Sequence, residues 1–165
     1  MRVYFGGTLT ELARIVADGG LGAPPLSGHA VTPALREWFA TGDLEELEYA
    51  AMEDAARTSI ARLAADPDAE PRRVVVAADV PDALVRPEST TGRSAVAVDT
   101  IVRIDQIQAV HVDDPEAAES VRAAAEAYPK AVAGDDDASF VVDEAFGHEL
   151  LWYARQEIPD LLETT

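Results

Sequence analysis

Within the first twenty residues the apolar positions change from a continuous run, typical of a strand, to the spacing of an α-helix. Val3-Tyr4-Phe5 is a continuous apolar run, which is typical of a strand, and two glycines follow it. Thr8 and Glu11 then have the spacing of a capping box, which supplies partners to free N–H groups at a helix start. The residues at helical spacing that follow are Leu9, Leu12, Ile15 and Val16. The pattern predicts a strand and an amphipathic helix that ends at Gly19-Gly20.

Two further helices are predicted before residue 70. Thr32 precedes Pro33, and proline is tolerated at the first helical position because its missing N–H would have no helical partner there. Asp43 is the predicted cap of the longest helix, whose apolar stripe drifts round the axis with a period of about 3.6 residues. Asp66-Pro67 is expected to end that helix.

The second half of the chain alternates short apolar runs with turns. Val74-Val75-Val76 is typical of a strand buried on both faces, and further strands are predicted over Ala109 to Val112 and Phe140 to Val142. Residues 135–137 are three consecutive aspartates and are expected to form a solvated turn. Apolar residues recur at helical spacing near the end, so the pattern predicts a largely buried helix over His148 to Ile158.

These elements predict one α+β domain over residues 1–165. We expect a mixed, largely antiparallel sheet of about four or five strands, flanked by about five helices. Residues 72–113 hold several apolar runs with short connections, which leaves no room for the crossover helices of a doubly wound parallel sheet. No internal repeat or biased linker divides the chain.

The charge balance limits the partners that are expected. Thirty-one Asp and Glu residues against thirteen Lys and Arg residues give a formal net charge of −18, and the acids are spread along the chain. Such a field repels phosphate backbones, so direct nucleic-acid binding is not expected. It favours a basic protein partner, or it serves only to keep the protein soluble. The absence of cysteine and of a long apolar run predicts a cytoplasmic protein with no membrane association.

The motifs that would carry a cofactor or a metal are incomplete. Gly6-Gly7-Thr8 follows a predicted strand and opens a helix, but neither dinucleotide-binding nor P-loop spacing is present, and a tight turn accounts for the glycines. His148-Glu149 begins like a zinc H-E-x-x-H motif, but Trp152 stands where the second histidine belongs. The three aspartates at 135–137 lack the glycine and glutamate of a calcium loop. No metal and no cofactor are therefore expected.

Both tryptophans and two of the three histidines fall in two segments, residues 28–51 and 148–158. One interpretation is that the two segments pack together in the core, because aromatic side chains bury large areas. The alternative is a shared binding cleft, whose candidate residues are His29, Arg36, Trp38, Glu48, Trp152 and Glu157. No serine lies in a nucleophile-elbow motif, so no catalytic residue is assigned.

The same segments resemble an uncharacterised family of actinobacterial proteins. The motifs that carry this resemblance are His29 to Trp38, Glu46 to Ala51, Val74 to Val80, Ala109 to Asp114 and Glu149 to Tyr153. The resemblance covers essentially the whole chain and implies a cytoplasmic actinobacterial origin, but no activity.

Separately, Tyr4 to Thr8 followed by Gly19-Gly20-Leu21 is similar to the opening of ADP-ribosyltransferase-like domains. In those domains an aromatic-His-Gly-Thr strand grips the nicotinamide nucleotide. Phe5 stands here in place of that histidine, and this difference removes a nucleotide contact.

The function that these observations favour is a non-catalytic, strongly acidic protein-interaction module in the cytoplasm, with a basic protein as its partner. The alternative is a small-molecule-binding or nucleotide-binding, enzyme-like domain that uses a cleft near His29 and Trp152. The sequence makes no prediction of oligomeric state.

Overall fold

A seven-stranded sheet organises the chain, which a computed structural model describes over all residues 1–165. The strands are β1 (Arg2–Gly7), β2 (Gly20–Leu21), β3 (Leu26–His29), β4 (Val74–Asp79), β5 (Val85–Pro87), β6 (Ala95–Val98), β7 (Val102–Arg103), β8 (Ile107–Asp113) and β9 (Leu150–Ala154). The helices are α1 (Leu9–Asp18), α2 (Pro33–Trp38), α3 (Leu44–Ala65), α4 (Ala118–Val132), α5 (Asp136–Ala145) and α6 (Ile158–Glu163). The sheet order is β5-β6-β3-β1-β4-β8-β9, every pair is antiparallel, and β2 pairs separately with β7. The α+β class and the antiparallel sheet agree with the sequence, but there are more strands than it predicted.

Side-chain caps fix the starts of the first three helices where the sequence placed them. The Thr8 hydroxyl accepts from the Glu11 N–H at 3.2 Å, and Gly19 ends α1 in the left-handed conformation with a φ of 83°. Thr32 and Asp43 cap α2 and α3 in the same way, at 3.1 Å and 2.9 Å from the amides that they accept from. Each cap satisfies an amide that has no partner within the helix. The predicted starts of α1, α2 and α3 are thus confirmed.

The prediction of a strand over Phe140 to Val142 is wrong, because these residues lie within helix α5. The expected solvated turn before them is the start of that helix. The Asp135 carboxylate accepts from the Ala138 N–H at 2.9 Å and is the N-cap. Val142 is buried against α3 and α4, whereas Phe140 is exposed. An amphipathic helix with one apolar face therefore replaces the expected strand.

The prediction of a buried helix over His148 to Ile158 is also wrong. This segment contains strand β9, then a turn of 3-10 helix over Arg155–Glu157, and α6 begins only at Ile158. The apolar residues alternate between the two faces of the sheet, since Leu150 packs towards α3 and Tyr153 packs on the opposite side. Trp152 was expected to be buried, but 61% of its surface is exposed.

Helix α3 packs directly on one face of the sheet. A side chain at Gly6 would meet the Ala55 carbonyl oxygen, so the backbones of β1 and α3 approach each other closely. The buried Ser59 hydroxyl donates to the Gly7 carbonyl at 2.6 Å and accepts from the Val74 N–H at 3.0 Å. One side chain of α3 therefore binds the end of β1 and the start of β4. The opposite face of the sheet is covered by α1 and α6, and α4 and α5 pack behind α3.

A buried ion pair joins β8 to the start of β4. The Arg73 guanidinium donates to both carboxylate oxygens of Asp113, at 2.9 Å and 2.7 Å, and the two side chains are 1% and 0% exposed. The Arg73 N–H donates to the same carboxylate at 2.7 Å, and its guanidinium also donates to the His148 carbonyl at 2.9 Å. The pair is fully hydrogen-bonded, which offsets the cost of removing two charges from water.

Candidate functional site

His29 is the centre of a polar network between the sheet and α3. Its Nδ1 lies 2.9 Å from the Ser94 hydroxyl, and its Nε2 lies 3.0 Å from the Thr58 hydroxyl. The Ser94 hydroxyl donates to the Asp54 carboxylate at 2.6 Å. Asp54 and Thr58 lie one turn apart on α3, whereas His29 ends β3 and Ser94 precedes β6. Three segments that are distant in sequence therefore meet at one imidazole.

The hydrogen bonds of the network determine the tautomer of His29. The single Ser94 proton is committed to Asp54, so the Ser94 oxygen accepts from Nδ1–H. In the neutral imidazole Nε2 is then an acceptor, and the Thr58 hydroxyl donates to it at 3.0 Å in preference to the Asp54 carbonyl at 3.3 Å. Burial lowers the pKa of His29 below its ordinary value of 6.5, and the negative charge of Asp54 opposes this shift. The imidazole is therefore neutral at neutral pH.

This arrangement does not form a catalytic triad. In a triad the imidazole lies between the carboxylate and the nucleophile, whereas here the serine hydroxyl lies between the carboxylate and the imidazole. Ser94 is only 1% exposed, so a substrate could not reach its oxygen. The network instead ties β3 and the start of β6 to α3.

The remaining candidate residues lie on four different elements. Arg36 and Trp38 are exposed on α2, and the Arg93 guanidinium lies 3.7 Å from the centre of the Trp38 ring. Glu48 is half-buried on α3 beside Tyr4, where burial and the Glu48 charge raise the pKa of Tyr4 to about 12.

Trp152 and Glu157 lie towards the other edge of the sheet from His29. Strands β1, β4 and β8 separate β3 from β9, which is four strand spacings, or roughly 19 Å. Glu157 accepts from the Ala154 N–H at 3.3 Å at the end of β9. The structure therefore brings His29 together with Ser94, Thr58 and Asp54, and it does not bring it to Trp152 or Glu157.

A shallow groove of about 530 Å³ lies beside the start of α3. We call it the acidic groove. Its lining residues are Phe39, Asp43, Glu45, Glu46, Tyr49, Ala50 and Glu53. Four of these seven residues carry a carboxylate and none carries a positive charge. None of the four carboxylates takes part in an ion pair within the chain.

Two exposed aromatic side chains lie among the carboxylates of the acidic groove. Phe39 and Tyr49 both have more than a third of their surface exposed. Burial raises the pKa of the Tyr49 hydroxyl, and the charge of Glu53 and a hydrogen bond to it add to the shift. The groove thus combines aromatic surface with uncompensated negative charge.

A second cleft adjoins the acidic groove and shares Tyr49 and Glu53 with it. This cleft has a volume of about 170 Å³ and extends to Arg73, Phe146 and Glu149. The Phe146 ring lies 5.4 Å from the Arg73 guanidinium and 4.7 Å from that of Arg57. Because Arg73 is already paired with Asp113, it is not free to hold an anionic ligand here.

Sequence reasoning missed Asp54, Thr58 and Ser94 as partners of His29. A signal was present for two of them, since Asp54 and Thr58 are four residues apart in a predicted helix and so share one face. Sequence reasoning also missed the acidic groove. The signal that could have found it is the stretch from residue 43 to residue 54, which holds six acidic residues and no basic one.

The fold and the site define the structural class of this protein, and a sequence match then gives its family. No group of three His, Cys, Asp or Glu side chains is placed to hold a metal ion, and no helix is long and apolar enough to cross a membrane. The class is a single-domain α+β protein with a seven-stranded antiparallel sheet and an acidic, aromatic groove. Residues 1–162 match a family of unknown function (DUF6912), and the chain belongs to that family. No curated protein and no solved structure matches the chain.

Proposed function

We propose that the protein is a non-catalytic interaction module whose acidic groove binds a basic segment of another cytoplasmic protein. The observation that carries the proposal is a concave surface in which four carboxylates without an ion-pair partner lie around two exposed aromatic rings. A reactive centre would require a different arrangement, because the polar network at His29 is internally saturated and closed to solvent at Ser94.

Charge in the groove supports a basic ligand in two ways. The carboxylates of Glu45, Glu46 and Glu53 have no cation within the chain, so an incoming lysine or arginine would supply their first ion pairs. The net charge of −18 also attracts a basic partner from a distance and raises the rate of association. Both contributions weaken as salt is added, since ions screen exposed charges over about 10 Å at 0.1 M ionic strength.

The aromatic rings add a contribution that charge alone does not provide. A guanidinium or ammonium group over an exposed ring gains a cation–π interaction of about 0.5–1 kcal/mol. Arg93 over Trp38 shows the same geometry within the chain, next to the groove. Phe39 and Tyr49 are therefore suited to the arginine or lysine side chains of a partner.

The test uses a fluorescent arginine-rich peptide as the probe and fluorescence anisotropy as the readout. The triple variant Glu45→Gln/Glu46→Gln/Glu53→Gln removes three groove charges. The matched control, Glu116→Gln/Glu119→Gln/Glu126→Gln, removes three exposed charges near and within α4. We expect the groove variant to weaken binding by about tenfold, equivalent to about 1.4 kcal/mol, and the control to change it far less.

A second variant separates the groove from general charge attraction. Phe39→Ser/Tyr49→Ser keeps the net charge and removes both rings, and we expect it to weaken the peptide severalfold at constant salt. If the groove and control charge variants lose peptide affinity equally and the aromatic variant loses none, the peptide is attracted to the negative surface as a whole. That result would refute the groove as a binding site.

A further inference from the structure

One face of α3 forms a wall that is common to the acidic groove and to the cleft beside it. Glu46, Tyr49, Glu53 and Ala56 recur at intervals of three or four residues, which places them on one face of the helix. Glu46 lines the groove, Ala56 lines the cleft, and Tyr49 and Glu53 line both. The two cavities are therefore successive parts of one surface, and a single bound segment can occupy both.

The chemistry of this surface changes along the helix. The groove end is lined mainly by carboxylates. The apolar side chains of the cleft end are Met52, Ala56, Phe146 and Leu150. Glu149 also lines the cleft, is exposed and, like Glu53, has no ion-pair partner within the chain. A ligand that follows α3 thus passes from negative charge to an apolar cleft that still has carboxylates beside it.

The positive charges near the cleft already have partners. The Arg73 guanidinium lies 2.7 Å from the Asp113 carboxylate and its side chain is 1% exposed. The Arg57 guanidinium over the Phe146 ring pairs with Asp143 at 3.4 Å. An anionic group in the cleft would therefore find carboxylates and no unpaired cation, whereas an uncharged apolar side chain would leave these ion pairs as they are.

The volume of the cleft suits one bulky side chain. It is about 170 Å³, and a cavity of about 150 Å³ lined by aliphatic and aromatic residues is large enough to bind benzene. The cleft therefore has room for the side chain of a leucine or a phenylalanine. Met52 is unbranched and flexible, which allows the wall to adapt to either shape.

We propose, on the basis of the proposed function, that the basic segment of the partner carries a bulky apolar anchor residue that enters this cleft. The arginine or lysine residues of the segment lie in the acidic groove, and a leucine or phenylalanine lies against Met52 and Phe146. The ligand is then a segment that is both basic and apolar. A chain that is only polycationic fills the groove and leaves the cleft empty.

The length of the shared wall sets the spacing between the basic residues and the anchor. Glu46 and Ala56 are ten residues apart on α3, which corresponds to about 15 Å along the helix axis. A segment rich in like charges repels itself and is extended. Because an extended chain advances about 3.3 Å per residue, the anchor lies about four or five residues from the arginine that contacts Glu46.

The first measurement compares fluorescent peptides of equal length and equal charge by anisotropy. Each contains a short arginine cluster. One carries leucine at the spacing derived above on the carboxyl side of the cluster, a second carries it on the amino side, and a third has serine at both positions, because either chain direction fits the wall. We expect one leucine peptide to bind about tenfold tighter than the serine peptide, since burying a leucine side chain removes its surface from water. Leucine peptides that bind no more tightly than the serine peptide would overturn the proposal.

The second measurement locates this gain in the cleft. Met52→Ser removes an apolar side chain from the cleft without changing the net charge, and we expect the leucine advantage to fall to about threefold or less. The affinity for the serine peptide should change little. Val132→Ser is the matched control, because Val132 is exposed at the end of α4. A folded Met52→Ser protein, as checked by circular dichroism, that keeps the full leucine advantage would refute the cleft as the anchor site.

The same peptides separate a failure of this inference from a failure of the proposed function. If Glu45→Gln/Glu46→Gln/Glu53→Gln weakens every peptide but leucine gives no advantage, the groove binds a basic segment and the cleft takes no anchor. If the charge variant weakens none of them more than its control does, the proposed function fails and the anchor fails with it. Added salt gives a further check, because ions screen the attraction of the arginines but not the burial of leucine. The affinity of both peptides should fall with salt while their ratio stays nearly constant.

Discussion

The Ser94 hydroxyl donates to the Asp54 carboxylate at 2.6 Å, although the two residues are 40 positions apart in the chain. The same oxygen accepts from His29, so one hydroxyl serves an acidic residue of the helix layer and a histidine of the sheet. The buried side-chain polar atoms of the whole chain are all hydrogen-bonded. The network thus adds specificity to the packing of α3 without leaving a polar group unpaired.

Replacing Ser94 with alanine should destabilise the fold by about 1–3 kcal/mol, because His29 Nδ1–H loses its acceptor and Asp54 loses a donor in a partly dry site. Urea unfolding followed by circular dichroism measures the free energy of unfolding. Ser89→Ala is the control, since Ser89 is exposed. A loss no greater than that of the control would mean that water replaces the hydroxyl at no cost.

Acid should destabilise the protein through two histidines. Burial lowers the pKa values of His29 and His111 below 6.5, and Arg2 adds to the shift at His111. The unfolded chain binds a proton at each position before the folded chain does, so this stability is present above pH 6.5 and is lost as pH falls through the folded pKa values. His29→Gln and His111→Gln should therefore each show a smaller loss of unfolding free energy than wild type between about pH 7.5 and about pH 5. Parallel pH profiles in wild type and variants would contradict this linkage.

The sequence predicted helix starts well because a cap is a local signal. Thr8, Thr32 and Asp43 each contact an amide three residues away, so the information lies within one turn. Asp135 is a cap of the same kind, but it is followed by two more aspartates, and the charge of the run concealed it. The order of the strands could not be predicted in this way, because no local signal specifies that β3 lies between β6 and β1.

Strand β9 shows why the end of the chain was misread. Its five residues form a continuous apolar run. A helix that is apolar on most sides and a strand that is apolar on both faces both produce such a run, so periodicity cannot distinguish them. The ladder with β8 decides between them, and that ladder depends on residues about forty positions away. The candidate cleft failed to appear around His29 and Trp152 for the same reason, because strand order and not sequence proximity sets their separation.

The buried pair of Arg73 and Asp113 should be among the most sensitive positions in the chain. Asp113→Ala leaves a buried guanidinium without its counter-charge, and losses of about 3–5 kcal/mol are typical of such changes. Asp99→Ala is the control, because Asp99 pairs with Arg86 on the exposed surface, where solvent screens the interaction. We expect urea unfolding to show a large shift of midpoint for Asp113→Ala and a small one for Asp99→Ala. Similar midpoints for the two variants would contradict the distinction.

Gly6→Ala tests the close approach of α3 to the sheet. The new methyl group would meet the Ala55 carbonyl and lie 2.8 Å from the Ser59 nitrogen, both of which are backbone atoms that cannot rotate away. Helix α3 must then move off β1, and overpacking of this kind costs about 1–3 kcal/mol or more. Gly7→Ala is a control one residue away, since its methyl group would find nothing nearer than the Glu11 Cβ at 3.9 Å.

The same substitution should be detectable at His29. Moving α3 outward admits water to the imidazole, and the relief of burial, which is the larger cause of the shift, outweighs the loss of the Asp54 charge. The lowered pKa of His29 should therefore rise towards 6.5 in Gly6→Ala and stay low in Gly7→Ala. An NMR titration of the histidine ring measures this directly, and urea unfolding measures the stability. A destabilised Gly6→Ala protein whose His29 titrates as in wild type would show that the helix yields elsewhere. In that case the contact at Gly6 would not be what holds α3 against the His29 network.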